Sequence, residues 1–355
     1  MRPLKRLVMC LLFLSLPFCV LAEYRDWARI TYLEGTCMIK EEHGEYQKCS
    51  LDQAVYSSQT VKTMENSQVE LSLSESDSIL ITEDTEIVFH TSLFEETRYT
   101  TIGLLFGSIR VILGKLTSGK RDFSVNTVTT NAAVRGTTFD AAVREDAAVL
   151  ISVESGSVET ETGGRSHLIS PGNTSAFYLN GEREDYDRFV DRHEWKKTAL
   201  SKIQENPEKI LKGLVMRERA IINSLKKQQG RINEYRKEWE IFLKRIRYFE
   251  STRNFGMEKR LIDNQILRLK TALIAVVRAR RNLTALRSII ALAGRVEKRI
   301  PEQRKESVIP ILQQLRREYI RMSYVIQKLS DTEQKLRNVL IVLNRKRAQV
   351  EKRIQ

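Results

Sequence analysis

The stretch TTNAAVRGTTFDAA, Thr129 to Ala142, decides how the first half of this chain is read. Small and β-branched residues alternate up to Val134, Arg135-Gly136-Thr137 interrupts them, and Phe139 resumes the apolar spacing. An arginine in such a run marks either a chemical site or a corner between strands. The corner is favoured. A guanidinium beside a tight glycine turn can donate to several backbone carbonyls or to one carboxylate, tying adjacent strands together. Thr137 and Thr138 are expected to hydrogen-bond locally, and Phe139 to bury.

The same two-residue period extends outward. Val69, Leu71 and Leu73, then Ile79 and Ile81, then Ile109, Val111 and Leu113, and later Val149, Ile151, Val153 and Val158 alternate with polar residues. Such alternation between Gly, Ser, Asp and Asn clusters predicts half-buried strands. A triplet recurs at expected strand starts: Gly35-Thr36-Cys37, Gly107-Ser108-Ile109 and Gly156-Ser157-Val158. Glycine permits the tight turn, and a hydroxyl can satisfy loose backbone groups there. The unequal intervals exclude a strict repeat array and imply a winding, solenoid-like sheet.

The second half changes period. Ile232, Tyr235, Trp239, Phe242, Ile246 and Phe249 step by three and four, as do Ile262, Ile266, Leu269, Leu273 and Val276. Met322, Val325, Leu329, Thr332, Leu336, Val339, Leu343 and Val350 repeat the pattern. This is the apolar seam of packed helices. Breaks near Asn254–Glu258 and Arg299–Ser307 delimit three helices, roughly Thr198–Phe249, Met257–Arg299 and Glu306–Ile354. Each spans roughly 60–75 Å, and the short connections predict an antiparallel bundle or coiled coil. Arg280 and Lys346 fall on the seams, where a long stem packs while its charge reaches water.

The net charge of +14 conceals a division. Met1 to Glu194 carries 19 Lys/Arg against 29 Asp/Glu, whereas Trp195 to Gln355 carries 40 against 16, a net of +24. A rod of that charge is expected to attract polyanions. Arg2, Lys5 and Arg6 precede an apolar run, Leu7 to Leu21, and Ala22 supplies a small residue before Glu23. That is the order of a secretory signal peptide, and the run is short for a spanning helix of ~20 residues. An uncleaved anchor is the alternative; lipidation at Cys19 is disfavoured by bulky Phe18. The expected domains are residues 1–22 (signal), 23–186 (β domain), 187–198 (linker) and 199–355 (basic helices), the two halves folding independently. With export, nucleic acid is not an expected partner.

Outside the signal segment the cysteines are Cys37 and Cys49, flanking MIKEEHGEYQK. A hairpin turning at His43-Gly44 sets them opposite each other, which permits a disulfide worth ~2–3 kcal/mol. Two free buried thiols are the alternative.

The run RDFSVNTVTTNAAVRGTTFDAAV resembles the exported domain of the FecR family, over about Thr31 to Ser175. Phe123, Val125, Thr127, Val134, Arg135, Gly136, Thr137 and Phe139 match the family's pattern. Val128 replaces its usual proline and Thr130 its usual alanine, departures that loosen one turn. The resemblance implies an all-β, solenoid-like domain outside the cytoplasm that binds or relays a signal and does not catalyse. Members of the family carry a cytoplasmic segment contacting a sigma factor, then a membrane helix. Neither is read here, so sigma-factor regulation is not carried over.

Direct searches for chemistry agree. His43, His90, His167 and His193 lack metal-ligand spacing and are expected at the surface. VESGSVE is not a nucleophile turn, no phosphate loop occurs, and the carboxylates of residues 74–97 read as a solvated strand face. No catalytic residue, cofactor site or metal site is expected. The favoured function is a non-enzymatic, periplasmic or envelope-associated binding domain on a basic helical stalk. Its partner would be an envelope protein, an anionic envelope polymer or lipid headgroups, with self-association through the helices also open. The alternative is a signal-relay component, the β domain sensing and the helices contacting a membrane partner.

Overall fold

In a computed structural model the structure describes residues 28–42, 44–94, 97–114, 120–134 and 136–354. The signal-like segment, His43 and Arg135 lie outside the described residues. The β half opens with β1 (Ala28–Glu34), β2 (Cys37–Lys40), β3 (Gln47–Lys48), β4 (Ala54–Val55), β5 (Thr60–Thr63) and β6 (Gln68–Ser74). It continues with β7 (Asp77–Ile81), β8 (Glu86–Phe94), β9 (Thr97–Leu113), β10 (Lys120–Asn126), β11 (Asn131–Val134) and β12 (Thr138–Val143). It ends with β13 (Val149–Ser155), β14 (Val158–Thr162), β15 (Arg165–Ile169), β16 (Thr174–Phe177) and β17 (Arg183–Tyr186). The helices are α1 (Arg192–Glu205), α2 (Pro207–Ser251), α3 (Phe255–Arg299) and α4 (Lys305–Ile354), with one 3-10 turn at Glu302–Arg304. The protein thus combines a large many-stranded sheet with several long helices.

The strand pairings fall into two rows that share β9. One row runs β4-β1-β6-β7-β9-β12-β13-β16-β17. The other runs β3-β2-β5-β8-β9-β10-β11-β14-β15. Inward residues of both rows, such as Leu71, Ile79 and Phe139 with Val61, Phe89 and Phe123, bury in one core. β9 crosses from one row to the other at Gly107, where φ is +94°. A Cβ there would lie 2.2 Å from Thr85 Oγ1, so only glycine fits.

Hydroxyls do satisfy the corners, but they come from neighbouring turns. Ser67 Oγ accepts from Thr36 N–H at 2.8 Å, and Thr85 Oγ1 accepts from Ser108 N–H at 2.9 Å. The hydroxyl of Ser108 itself has no partner among the described residues. Cys37 and Cys49 form a disulfide, Cα atoms 5.2 Å apart, where β2 begins its hairpin with β3.

The helices start and stop where local chemistry requires. Asp191 caps α1 by accepting from His193 and Glu194 N–H, so the stretch expected as a linker, 187–198, already contains helix. Asn206 caps α2 ahead of Pro207, whose fixed φ suits a first helical position. Ile300, extended before Pro301, ends α3. Seam residues Ile232, Phe242, Ile246, Ile262, Leu269, Val276, Leu336 and Leu343 are buried. The seam cations pair across helices: Arg280 with Glu333 at 3.1 Å, and Lys346 with Glu250.

The long helices do not stand clear of the sheet. α3 lies on the outer face of β8, β9 and β10, where the sheet presents His90, Thr101, Gly103 and Ser124. Ser288 Oγ donates to Leu105 O at 2.9 Å, and Thr284 Oγ1 sits 3.2 Å from His90 Nε2. His90 is therefore half-buried rather than at the surface; burial, with Arg280 and Arg287 near, pushes its pKa down to about 3. α1 covers the outer face of the other row through Trp195, which packs with Ala142, Ala148, Leu150 and Ala176. The β layers are clamped from both sides.

Close approach of α3 depends on Gly103, where a Cβ would meet Thr284 Cγ2 at 2.0 Å. Gly103→Ala is expected to lower stability by about 1–3 kcal/mol through overpacking. Thr284→Ser, which removes the clashing methyl and keeps the hydroxyl facing His90, is expected to restore most of the loss. Equal melting temperatures for Gly103→Ala in both backgrounds would refute the contact's importance.

Glu218 is buried within α2, its Oε2 has no partner among the described residues, and burial with Glu318 near pushes its pKa up to about 7. The unfolded chain loses this proton at lower pH than the fold does. Stability is therefore expected to fall as pH rises from the ordinary glutamate range to about 7, then level. Glu218→Gln should remove this slope and gain roughly 2–3 kcal/mol above it. Parallel denaturation profiles of parent and variant across that range would contradict it.

Candidate functional site

Between α1 and the C-terminal half of α3, one edge of the β layers remains open. The turns joining β5 to β6 and β7 to β8 form its floor, with the β12–β13 turn beside them. The resulting cleft has a volume of about 1250 Å³. Lys62, Met64, Asp84, Phe106, Lys196, Leu200, Ile290, Arg295 and Lys298 are among the residues that line it.

Arg144, from the β12–β13 turn, anchors the α1 wall. Its side chain is 2% exposed. It donates to both oxygens of Asp146 at 2.7 Å, to Trp195 O at 3.0 Å and to Thr198 Oγ1 at 2.5 Å. Its guanidinium also stacks over the Trp195 ring at 4.4 Å. The planar fork explains why arginine stands here: one group satisfies a carboxylate and a helical carbonyl while covering an indole.

Arg295 anchors the opposite wall. It grips Asp84 through two hydrogen bonds, at 2.8 and 2.9 Å, and lies 3.5 Å from the Phe106 ring centre. Burial alone would raise the Asp84 carboxyl; the hydrogen bonds and charge of Arg295, with Lys196 and Lys62, outweigh it and hold it below the usual range. Burial, aided by Arg192 and Arg295, lowers the Lys196 ammonium against the pull of Asp84 and Glu83. Arg299 and Arg287 extend the contact to Glu145 at 3.2 Å and Glu42 at 2.6 Å. Among the described residues no group of three or more His, Cys, Asp and Glu is placed to hold a metal.

The motif residues lie elsewhere. Phe123, Val125, Thr127, Val134, Thr137 and Phe139 are buried in the core or its turns, and Gly136 takes φ +59°. They gather around the end of β12 that pairs with Ile112, opposite the end that leads to Arg144. Gly156 packs against this corner so closely that a Cβ would meet Gly136 O at 2.7 Å. Thr137 makes no local hydrogen bond through its hydroxyl among the described residues, contrary to expectation, because the side chain is fully enclosed. Arg135 lies outside the described residues, so its role is not placed by the structure. Sequence reading missed Arg144, although the turn REDA, Arg144 to Ala147, sets an acid two residues beyond an arginine between two apolar strands.

Residues 59–159 match the family described as FecR protein. That match runs from the start of β5 into β14, under a third of the chain. Two crystal structures of a proposed anti-sigma factor from Parabacteroides distasonis, at 1.65 and 2.50 Å resolution, are 18% and 19% identical, each with a TM-score of 0.32. Each likeness covers 36% of this chain and 59% of the other, so the chain spans less than two thirds of either structure. No curated protein matches the chain.

Removing Arg144 leaves Asp146 buried without its partner and frees α1. Arg144→Ala is expected to cost about 3–5 kcal/mol. It should also open residues 187–206 to limited proteolysis. A variant that melts like its parent and stays uncut there would remove the latch from this account.

Proposed function

We propose that the protein is a non-enzymatic, exported component of the cell envelope that relays binding at its FecR half to its basic helices. The FecR family is regulatory rather than catalytic, which supports the class. The winding of hairpins between two rows is read as solenoid-like, and the three long helices as an antiparallel bundle. One observation carries the relay: α3 is seated on the FecR sheet through Thr284, Ser288 and Arg295 and packs along α2 and α4 as well. A displacement at the sheet therefore reaches the far end of the bundle through one continuous helix. No helix of the described residues is long and apolar enough to cross a membrane.

The far part of the bundle supplies the second contact. Lys226, Lys227, Arg236, Lys237, Arg245 and Arg247 are exposed along α2. Such a row suits an anionic envelope surface. The intact chain is expected to co-sediment with phosphatidylglycerol vesicles, and binding should collapse between ~0.1 M and ~1 M salt as the Debye length falls from ~10 Å to ~3 Å. Reversing Lys226, Lys227, Arg236 and Lys237 to glutamate should abolish it. Absence of binding at low salt would return these residues to the role of a solvated face, and binding that survives ~1 M salt would replace the charge mechanism with an apolar one.

A further inference from the structure

Where α2 turns into α3, the end of α4 joins them. Lys259 meets Glu351 at 3.1 Å, Arg347 meets Asp263 at 2.9 Å, and Arg353 lies 5.7 Å from the Phe255 ring centre. The three long helices thus share one tip. At 1.5 Å per residue, Phe255 stands ~43 Å along α3 from Thr284, so the tip is remote from the seat on the sheet.

Charge at this tip is one-sided. Residues 244–260 and 344–354 carry eleven Lys or Arg against three Glu. All three carboxylates are already engaged: Glu250 by Lys346, Glu258 by the same ammonium at 3.9 Å, and Glu351 by Lys259 and Arg347. Lys244, Arg245, Arg247, Arg253, Arg260 and Lys352 are exposed, and none of them pairs with a carboxylate among the described residues. Arg253 holds φ +53°, a left-handed conformation that glycine or asparagine adopts more readily, yet a cation stands there in the turn.

Among these cations lie side chains that water does not favour. Tyr248, Met257 and Ile354 are 64%, 42% and 51% exposed, and Tyr248 packs edge-on against Phe249 at 5.4 Å. Glu250 to Asn254, between Tyr248 and Met257, are all exposed, so the turn projects. Aromatic and long apolar side chains ringed by lysine and arginine are the composition that settles where acyl chains meet anionic headgroups. A headgroup layer supplies negative charge at every position and needs no register, which suits cations spread over the ends of three helices. An acidic protein would have to match each of them.

We propose that this tip enters the interface of an anionic lipid bilayer, Tyr248, Met257 and Ile354 reaching the headgroup region while the surrounding cations meet lipid phosphates. The basic row of α2 supplies long-range attraction, and the tip supplies the apolar contact that holds the molecule at the surface. The inference rests on the reading that the helices meet an anionic surface, and names the part of the bundle that enters it.

The test uses the full chain carrying Tyr248→Trp, an exchange that keeps an aromatic ring at an exposed position, and phosphatidylglycerol vesicles with brominated acyl chains. Quenching well beyond that of the parent is expected, and phosphatidylcholine vesicles should give none. Tyr248→Ser combined with Met257→Ser leaves the charge unchanged and should lower affinity for phosphatidylglycerol vesicles at least about fivefold by co-sedimentation. Should the serine pair fail to fold, the quenching decides. Vesicles bound without the extra quenching, or bound equally well by a folded serine pair, would overturn the insertion and leave the row on α2 in place. Quenching that persists after Lys226, Lys227, Arg236 and Lys237 are reversed supports the tip and sinks the row alone. No vesicle binding by the parent overturns both. A concentration-dependent blue shift of the introduced tryptophan without vesicles would make the tip a contact between copies of this chain instead.

Discussion

Of the described glycines, Gly103 leaves a Cβ the least room, 2.0 Å from Thr284 Cγ2, and the seating of α3 depends on it. A helix can settle onto a sheet at this distance only where the sheet offers no side chain. Once α3 is down, its following turns fall over fixed partners on the sheet. Ser288 reaches Leu105 O, Arg295 reaches Asp84 and Phe106, and Arg299 reaches Glu145. The α3 wall of the cleft is thereby set. α2 and α4 pack along α3, and α2 also reaches the β half through Arg217, which donates to Val128 O at 2.6 Å.

Charge plays a second part, and magnitudes separate it from the first. The acidic β half and basic helical half meet through Arg287–Glu42, Arg295–Asp84 and Arg299–Glu145. Partly exposed pairs of this kind contribute ~0–1 kcal/mol each. Their use lies in selecting the register in which α3 lands, since a slip of one turn would set arginines against the wrong groups. The Arg144–Asp146 pair differs in kind. Both side chains are buried, and the guanidinium also serves a helical carbonyl and an indole, so its loss strands several groups at once.

The period change from two to three-and-four was legible in the sequence, and helix ends near Ser251, Arg299 and Ile354 fall close to the expected breaks. The seat of α3 was not legible. His90, Thr101, Gly103 and Ser124 occupy the outward positions of their strands, and outward polar residues in an alternating strand read as solvated. Only their small size hints at a covering helix. Nor did the charge division announce an interface, because counting signs along the chain says nothing about which residues face each other. Arg135 drew attention through its motif. Arg144, in a short turn with no recurring pattern, carries the buried contacts seen among the described residues.

The clamp and the open cleft are two consequences of one arrangement. A sheet of two packed rows has two outer faces, and α1 and α3 each take one. Helices lying on opposite faces cannot also close the edge between them, so the turns near Met64 and Asp84 stay uncovered there. The walls of this opening come from different elements: α1 is held by Arg144 and Trp195, α3 by Gly103 and Arg295.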